Sequence, residues 1–247
     1  MPRLHFCAVL ALWLACSACA TTGPDPLEPM NRSIFWFNEQ ADRFVLAPVA
    51  KGWDFVVPDL VQTGVANVFD NLSMPVVLLN DLLQGKPGAG FYDLLRILFN
   101  TTLGIGGIFD VASAVDIPDN DEDFGQTLAV WGVPSGPYLV LPILGPASPR
   151  HGVGMAADAF TRPLGYFIPL WASAALFSLD TINTRAIYDD EITASRESAL
   201  DFYIFVRNAY RQNREHKIRD GAPDEEGAIN AESDEDLYYF DEELEEE

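Results

Sequence analysis

PVVLLNDLLQ at residues 75–84 and PGAGFYDLLRILFNT at residues 87–101, separated only by Gly85-Lys86, decide the fold class. Each stretch opens at a proline, which the first turn of a helix tolerates because its N–H has no intrahelical partner there. Each then repeats apolar residues at the three- and four-residue spacing of a helix. Asp93, Arg96 and Asn100 are the polar notes of the second stretch. Neither stretch alternates as a strand would.

The same pattern extends outward. Between about Asp25 and Asp220 the periodicity is helical and is broken repeatedly by Pro and Gly, which predicts an all-α architecture of many short helices with Pro/Gly-rich loops. Further segments read as helices over Pro58–Asp70, Ala172–Asp190 and Ala194–Lys217, with no internal repeat. In a first helix Ile34, Phe37, Ala41, Phe44 and Pro48 share one face, opposite Asn38, Glu39, Asp42 and Arg43. That apolar face suits packing into a core; Phe35 and Trp36 beside it equally suit a membrane interface.

Charge is distributed unevenly. The net charge is −22, yet residues 220–247 alone hold 14 carboxylates and no Lys or Arg, leaving −8 for the rest. Residues 219–247 therefore read as a solvated acidic tail. Such acidity excludes nucleic acid as a partner, because phosphate recognition needs a basic footprint. Conversely, residues 124–149 carry no charge over 26 positions, and 17 more uncharged residues lie between Arg162 and Asp180. Pro134, Pro137, Pro142, Pro163 and Pro169 break these runs, so a spanning helix is not expected. They fit a buried core with Pro/Gly loops, or a body sunk into one leaflet or lining a greasy channel.

At the N-terminus, Arg3 is followed by an apolar run from Phe6 to Ala15 that is too short to cross a bilayer. The run ends in Ala15-Cys16-Ser17-Ala18-Cys19-Ala20, which resembles a lipobox. Cys19 is the expected acylated residue; Cys16 is the alternative, because it occupies the −3 position where Leu is usual. Ala20 at +2, where Asp would mark inner-membrane retention, favours the outer membrane. The expected organisation is a signal peptide over 1–18, a lipidated linker over 19–24, a helical domain over 25–218 and the tail over 219–247. All three cysteines lie within the first 19 residues, so no disulfide is expected in the mature chain.

Catalytic and metal constellations fare poorly. In the segment Leu103–Phe109 the third glycine of a dinucleotide loop would fall at Phe109. Asp119, Asp121 and Asp123 match the start of a calcium loop, but position six is Phe124 and position twelve Val130. A solvated acidic turn is expected instead. Ser135 is not in a nucleophile elbow, and His151 and His216 form no cluster with Cys. No catalytic residue, metal or cofactor is expected. Arg207, Arg211 and Arg214 recur at i, i+4 and i+7; they either complement the helix C-terminus and the tail or meet anionic headgroups or an acidic partner.

Asp25-Pro26-Leu27-Glu28-Pro29-Met30-Asn31-Arg32 followed by Phe35-Trp36-Phe37-Asn38 resembles the opening of the MlaA (VacJ) lipoproteins, D-P-[LF]-E-x-x-N-R then F-x-F-N. Asn100-Thr101-Thr102-Leu103-Gly104-Ile105-Gly106-Gly107 with Asp110-Val111-Ala112 resembles the family's N-T-x-L-G-x-G-G…D-V-A. Phe124-Gly125-Gln126-Thr127-Leu128, Gly136-Pro137-Tyr138, Leu141-Pro142 and Gly145-Pro146 continue the correspondence, as do Thr184-Arg185-Ala186 and Tyr203 to Tyr210. Pro134 and Ser135 replace a looser spacer, and the acidic tail has no family counterpart. The resemblance implies a compact ring-like helical body with a central amphipathic channel, embedded in the periplasmic leaflet of the outer membrane. It implies removal of misplaced phospholipid, with a trimeric outer-membrane porin as partner and delivery to a soluble periplasmic carrier feeding an inner-membrane ABC transporter. Within that frame Asn38, Asp42, Gly104, Gly106, Gly107, Gly132, Gly136, Pro137 and Tyr138 are the channel or gate candidates.

Overall fold

The computed structural model describes residues 25–222. The chain opens with α1 (Glu28–Ala41), a π-helical turn over Asp42–Leu46, and α2 (Ala47–Val56). Ala41, Asp42, Leu46 and Ala47 all keep right-handed helical dihedrals, so the three form one rod. Pro48 explains the widened turn: it has no N–H, and its ring crowds the carbonyl four residues back, which an extra residue in the turn relieves.

After Pro58 the long helix α3 (Asp59–Gln84) runs to Gly85, which ends it in the left-handed conformation at φ 79°. The Lys86 N–H donates to the Asp81 carbonyl at 2.9 Å, closing the stop as in a Schellman cap. Then α4 (Pro87–Thr102) folds back along α3. The start expected at Pro75 is instead the interior of α3. One missing backbone hydrogen bond is outweighed by the packing of a 26-residue helix against α4.

Short elements follow: α5 (Val111–Ala114), capped by Asp110, and α6 (Phe124–Val130), capped by Asp123. The uncharged 124–149 run, where no spanning helix is expected, also contains a small antiparallel hairpin, β1 (Leu139–Leu141) with β2 (Gly145–Ala147), registered Val140 opposite Pro146. Next come α7 (Pro149–Thr161), a 3-10 turn at Pro163–Tyr166, and α8 (Leu170–Ile187). The final helix expected over 194–217 is two: α9 (Asp189–Ser198) and α10 (Phe202–Ile218). Asp201 forces the break, because its carboxylate accepts from the Ile204 N–H as an N-cap.

The interior is mostly polar. Asn31, Asn80, Asp81, Asp93, Gln126, Thr127 and Asn183 are each at most 1% exposed, whereas the apolar core is a small aromatic cluster of Tyr138, Val140 and Tyr203 backed by Ile34, Phe35 and Tyr210. Large apolar side chains stand outside instead, among them Phe55 at 91%, Leu170 at 86% and Phe167 at 83% exposure. The first rod shows the inversion directly. Phe37 and Phe44 are exposed, while Asn38, Glu39 and Asp42 from the opposite face make the contacts to the body. Among the described residues no helix is long and apolar enough to cross a membrane.

Candidate functional site

An open apolar groove of about 580 Å³ lies between α2 and α8. Val49, Trp53 and Val56 line it from α2, and Ala175, Leu179 and Ile182 from α8. Helical spacing of three and four puts these residues on facing sides of the two helices. A polar frame fixes the helices behind it. The Trp53 indole N–H donates to Asn183 Oδ1 at 3.0 Å, and the Asn183 amide donates to the Gln62 carbonyl at 2.9 Å. Gln62 in turn donates to Asp54 and to the Val57 carbonyl, both at 2.9 Å. Thus α2, α3 and α8 are tied by groups that water cannot easily replace.

Carboxylates from other elements converge nearby one another. Burial raises Asp70 of α3 above the usual carboxylate range, and Asp119, Asp180, Asp121 and Asp110 push it further as like charges. Burial also raises Asp180 of α8, with Arg162 opposing. The sequence gives no periodic signal for this convergence.

Asn38 and Asp42 do hold key positions on the first rod, but as clamps. The Asn38 amide donates to the Leu141 carbonyl at 2.9 Å, and its oxygen accepts from the Ile143 N–H at 2.8 Å. Asp42, in the π-helical turn, accepts from Arg185 at 2.8 Å and from Arg196 at 3.1 Å. Burial alone would raise Asp42, yet the two guanidiniums hold it below the usual carboxylate range. The rod is thereby fastened to α8 and α9.

Gly104, Gly106 and Gly107 form the tight turn after α4. A Cβ on Gly104 would stand 2.2 Å from the Phe109 carbonyl oxygen and 2.5 Å from that of Asn100, so only glycine fits. Gly107, at φ 96°, lies against Asn71 of α3. Asn100 organises the exit by donating to Asp110 and accepting from the Ala112 N–H, both at 2.9 Å. The turn exposes Leu103, Ile105 and Phe109. Gly132 and Gly136 take φ 86° and 76° in the loop before the hairpin, and Pro137 follows.

Other candidates point inward. Tyr138 is 3% exposed in the aromatic cluster, where burial and then Asp25 push its hydroxyl up to about 12; it is not on an open wall. Arg207 and Arg214 are buried, and Arg211 is half-buried. Arg214 grips Asp123 through both terminal nitrogens, one at 3.0 Å. These three arginines therefore do not form one exposed basic face. The acidic turn is solvated as expected at Asp119 and Asp121, whose side chains are both 71% exposed, and it is cross-linked as well: Asp119 to Arg96 at 3.1 Å, Asp121 to Lys217, and the half-buried Asp123 to Arg214. His151 stacks near Tyr210, whose hydroxyl is 3.2 Å from Nδ1, and burial lowers its pKa.

Sequence reasoning passed over Asn31, Gln62 and Asn183. Asn31 had a signal, since it lies seven residues before Asn38 and so on the same helical face. Cys19, Cys16, the signal and linker segments and residues 223–247 lie outside the described residues.

A family model described as MlaA lipoprotein matches residues 23–217. The intermembrane phospholipid transport system lipoprotein MlaA of Haemophilus influenzae is 37% identical over 206 residues, covering 80% of each chain. Its namesake from Escherichia coli is 36% identical over 208 residues, covering 80% of this chain and 82% of the relative. A solved structure described as "Structural basis for maintenance of bacterial outer membrane lipid asymmetry" superposes with a TM-score of 0.71 at 35% identity, covering 78% of this chain and 98% of that one.

Proposed function

The chain belongs to the MlaA lipoprotein family, and on that premise we propose that it extracts misplaced phospholipids from the outer leaflet of the outer membrane and passes them inward, preserving lipid asymmetry. The observation that carries this reading is the inverted distribution of polarity: amides and ion pairs inside, aromatic and aliphatic side chains outside. In water such a surface would be costly, at about 25 cal/mol per Å² of exposed apolar area. Against acyl chains it costs nothing, and internal hydrogen bonds then hold the helices together in place of a greasy core.

The body sits in the periplasmic leaflet, sorted there by an acyl chain on Cys19. The groove between α2 and α8 takes an acyl chain, each buried methylene contributing about 0.8 kcal/mol. Asp180, on α8 between the lining residues Leu179 and Ile182, is the carboxylate that keeps water near for a headgroup. Transfer then needs no bond made or broken. Asn38, Asp42 and the Gly104–Gly107 turn act by holding the walls in register rather than by touching lipid. A trimeric porin flanks the protein, and a soluble periplasmic carrier accepts the lipid for delivery to an inner-membrane ABC transporter.

Deleting the protein should raise phospholipid in the outer leaflet without any change in lysophospholipid or free fatty acid. Unchanged surface phospholipid would overturn the transport reading, and loss of hydrolysis products on deletion would point to an enzyme instead.

A further inference from the structure

Two carboxyl side chains, Asp81 of α3 and Asp93 of α4, are both 0% exposed at the contact between these helices. They are neighbours across that contact: a Cβ on Gly90, one turn before Asp93, would stand 3.7 Å from the Asp81 Cβ, and Asp81 is the first side chain to act on Asp93 after burial itself. Counted as carboxylates, Asp81 Oδ1 and both oxygens of Asp93 have no donor. Oxygens that only accept cannot bond one another, and leaving buried charges unpaired costs several kcal/mol per ion. The contact resolves if one carboxyl carries a hydrogen.

The surroundings say which. Asp81 Oδ2 already accepts from the Asn120 amide at 2.5 Å, so Asp81 is placed as the acceptor of the pair. Among the described residues nothing donates to Asp93. Arg96, three residues along α4, opposes as a nearby positive charge but spends its N–H groups elsewhere: its Nη1 donates to Ser113 and the Ile117 carbonyl, its Nη2 to Asp110 at 3.0 Å, and its Nε lies 3.1 Å from Asp119. Asp119, from the segment between α5 and α6, adds a like charge. Asp110, ahead of α5, is held by Arg96. The close helix approach leaves little room for a hydrated ion, since a Cβ on Gly90 would already stand 3.2 Å from Leu78 and 3.7 Å from the Asp81 Cβ.

We propose that Asp81 and Asp93 share one proton at neutral pH, with the Asp93 O–H donating to the Asp81 carboxylate, and that this proton latches α4 to α3. Burial is the largest cause holding Asp93 above the usual carboxylate range, followed by its hydrogen bond to Asp81 and the charges of Asp81 and Asp119. Separating α4 from α3 hydrates Asp93 and releases the proton. The open form therefore binds fewer protons, and its population rises with pH until Asp93 ionises in the closed form. The latch is independent of lipid transfer.

The test uses the full lipoprotein in detergent micelles. Infrared difference spectra at pH 7 should contain the carbonyl stretch of a protonated carboxylic acid, lost in Asp93→Asn and shifted in frequency in Asp81→Asn, where an amide oxygen replaces the carboxylate as acceptor. Hydrogen exchange of α3 and α4 amides, corrected for intrinsic rates, should show an opening constant that grows about tenfold per pH unit below the Asp93 pKa. In Asp93→Asn, whose amide N–H can replace the O–H, that slope should vanish. Absence of the acid band in the unmutated protein, or an unchanged slope in Asp93→Asn, overturns the latch. So does a melting temperature that tracks added calcium or sodium instead of pH, because a cation would then be the neutralising group.

Discussion

Asn31 and Asn38 lie two helical turns apart on α1, and each grips β1 together with a residue flanking it, using both ends of its amide. Asn31 donates to the Tyr138 carbonyl at 2.9 Å and accepts from the Val140 N–H at 3.0 Å; Asn38 does the same for Leu141 and Ile143. Together they act as a substitute neighbouring strand, satisfying the open edge of a two-stranded hairpin.

Asn31 is fully buried and also donates to Asp25, so Asn31→Ala leaves backbone groups of Tyr138 and Val140 without partners or water. The expected cost is about 3 kcal/mol. Asn38→Ala, at the exposed end of the hairpin, should cost about 1 kcal/mol. Denaturant unfolding in micelles of the two variants checks the ordering; equal losses would contradict the clamp.

The turn after α4 should discriminate sharply between neighbouring glycines. Gly104→Ala places a methyl into two carbonyl oxygens and should destabilise by on the order of 3 kcal/mol or prevent folding. Gly106 has positive φ but open space around its missing Cβ, so Gly106→Ala should cost only about 1 kcal/mol. Expression level and melting temperature would show the difference.

Acid should loosen the contact between α6 and α10. Burial raises Asp123, but the Arg214 hydrogen bonds outweigh it and hold the carboxyl below the usual range. A carboxyl depressed in the folded state stabilises above its unfolded pKa near 3.9, and that stability is lost as pH falls through the folded value. Unfolding free energy should thus drop below about pH 4. Arg214→Met leaves the half-buried Asp123 without its counter-ion and should cost about 2–3 kcal/mol at pH 7, with a flatter acid limb. A parallel acid limb in the variant would rule out this pair as its source.

Ala175 is exposed and faces the groove. Ala175→Trp should leave the melting temperature within roughly 0.5 kcal/mol equivalents of the parent while filling the space proposed for an acyl chain. Surface phospholipid should then rise towards the deletion level. Normal lipid asymmetry with this variant would show that the groove is not on the lipid's route.

Most helices were legible because prolines and caps are local. Pro58 and Pro87 open helices as expected, and Gly85 closes one. Pro75 misled because tertiary packing decides whether a proline ends a helix, and that packing is not in the local pattern. The orientation of the first rod was open for a deeper reason. Periodicity separates two faces but does not say which solvent each meets, and here Phe37 and Phe44 face out while Asn38 and Asp42 hold the body. The arginines of α10 were visible, but their partner Asp123 lies 91 residues away from Arg214. Nothing in either segment alone announces that pairing.

A protein whose apolar side chains already stand outside has little hidden grease to reveal when it unfolds. Its heat-capacity increment and its denaturant sensitivity should both be small for its length, since each scales with newly exposed area. Natural variation should invert as well: the outer phenylalanines and leucines should interchange freely with other large apolar residues, whereas a single methylene added to Asn31 or Asn183 should be refused.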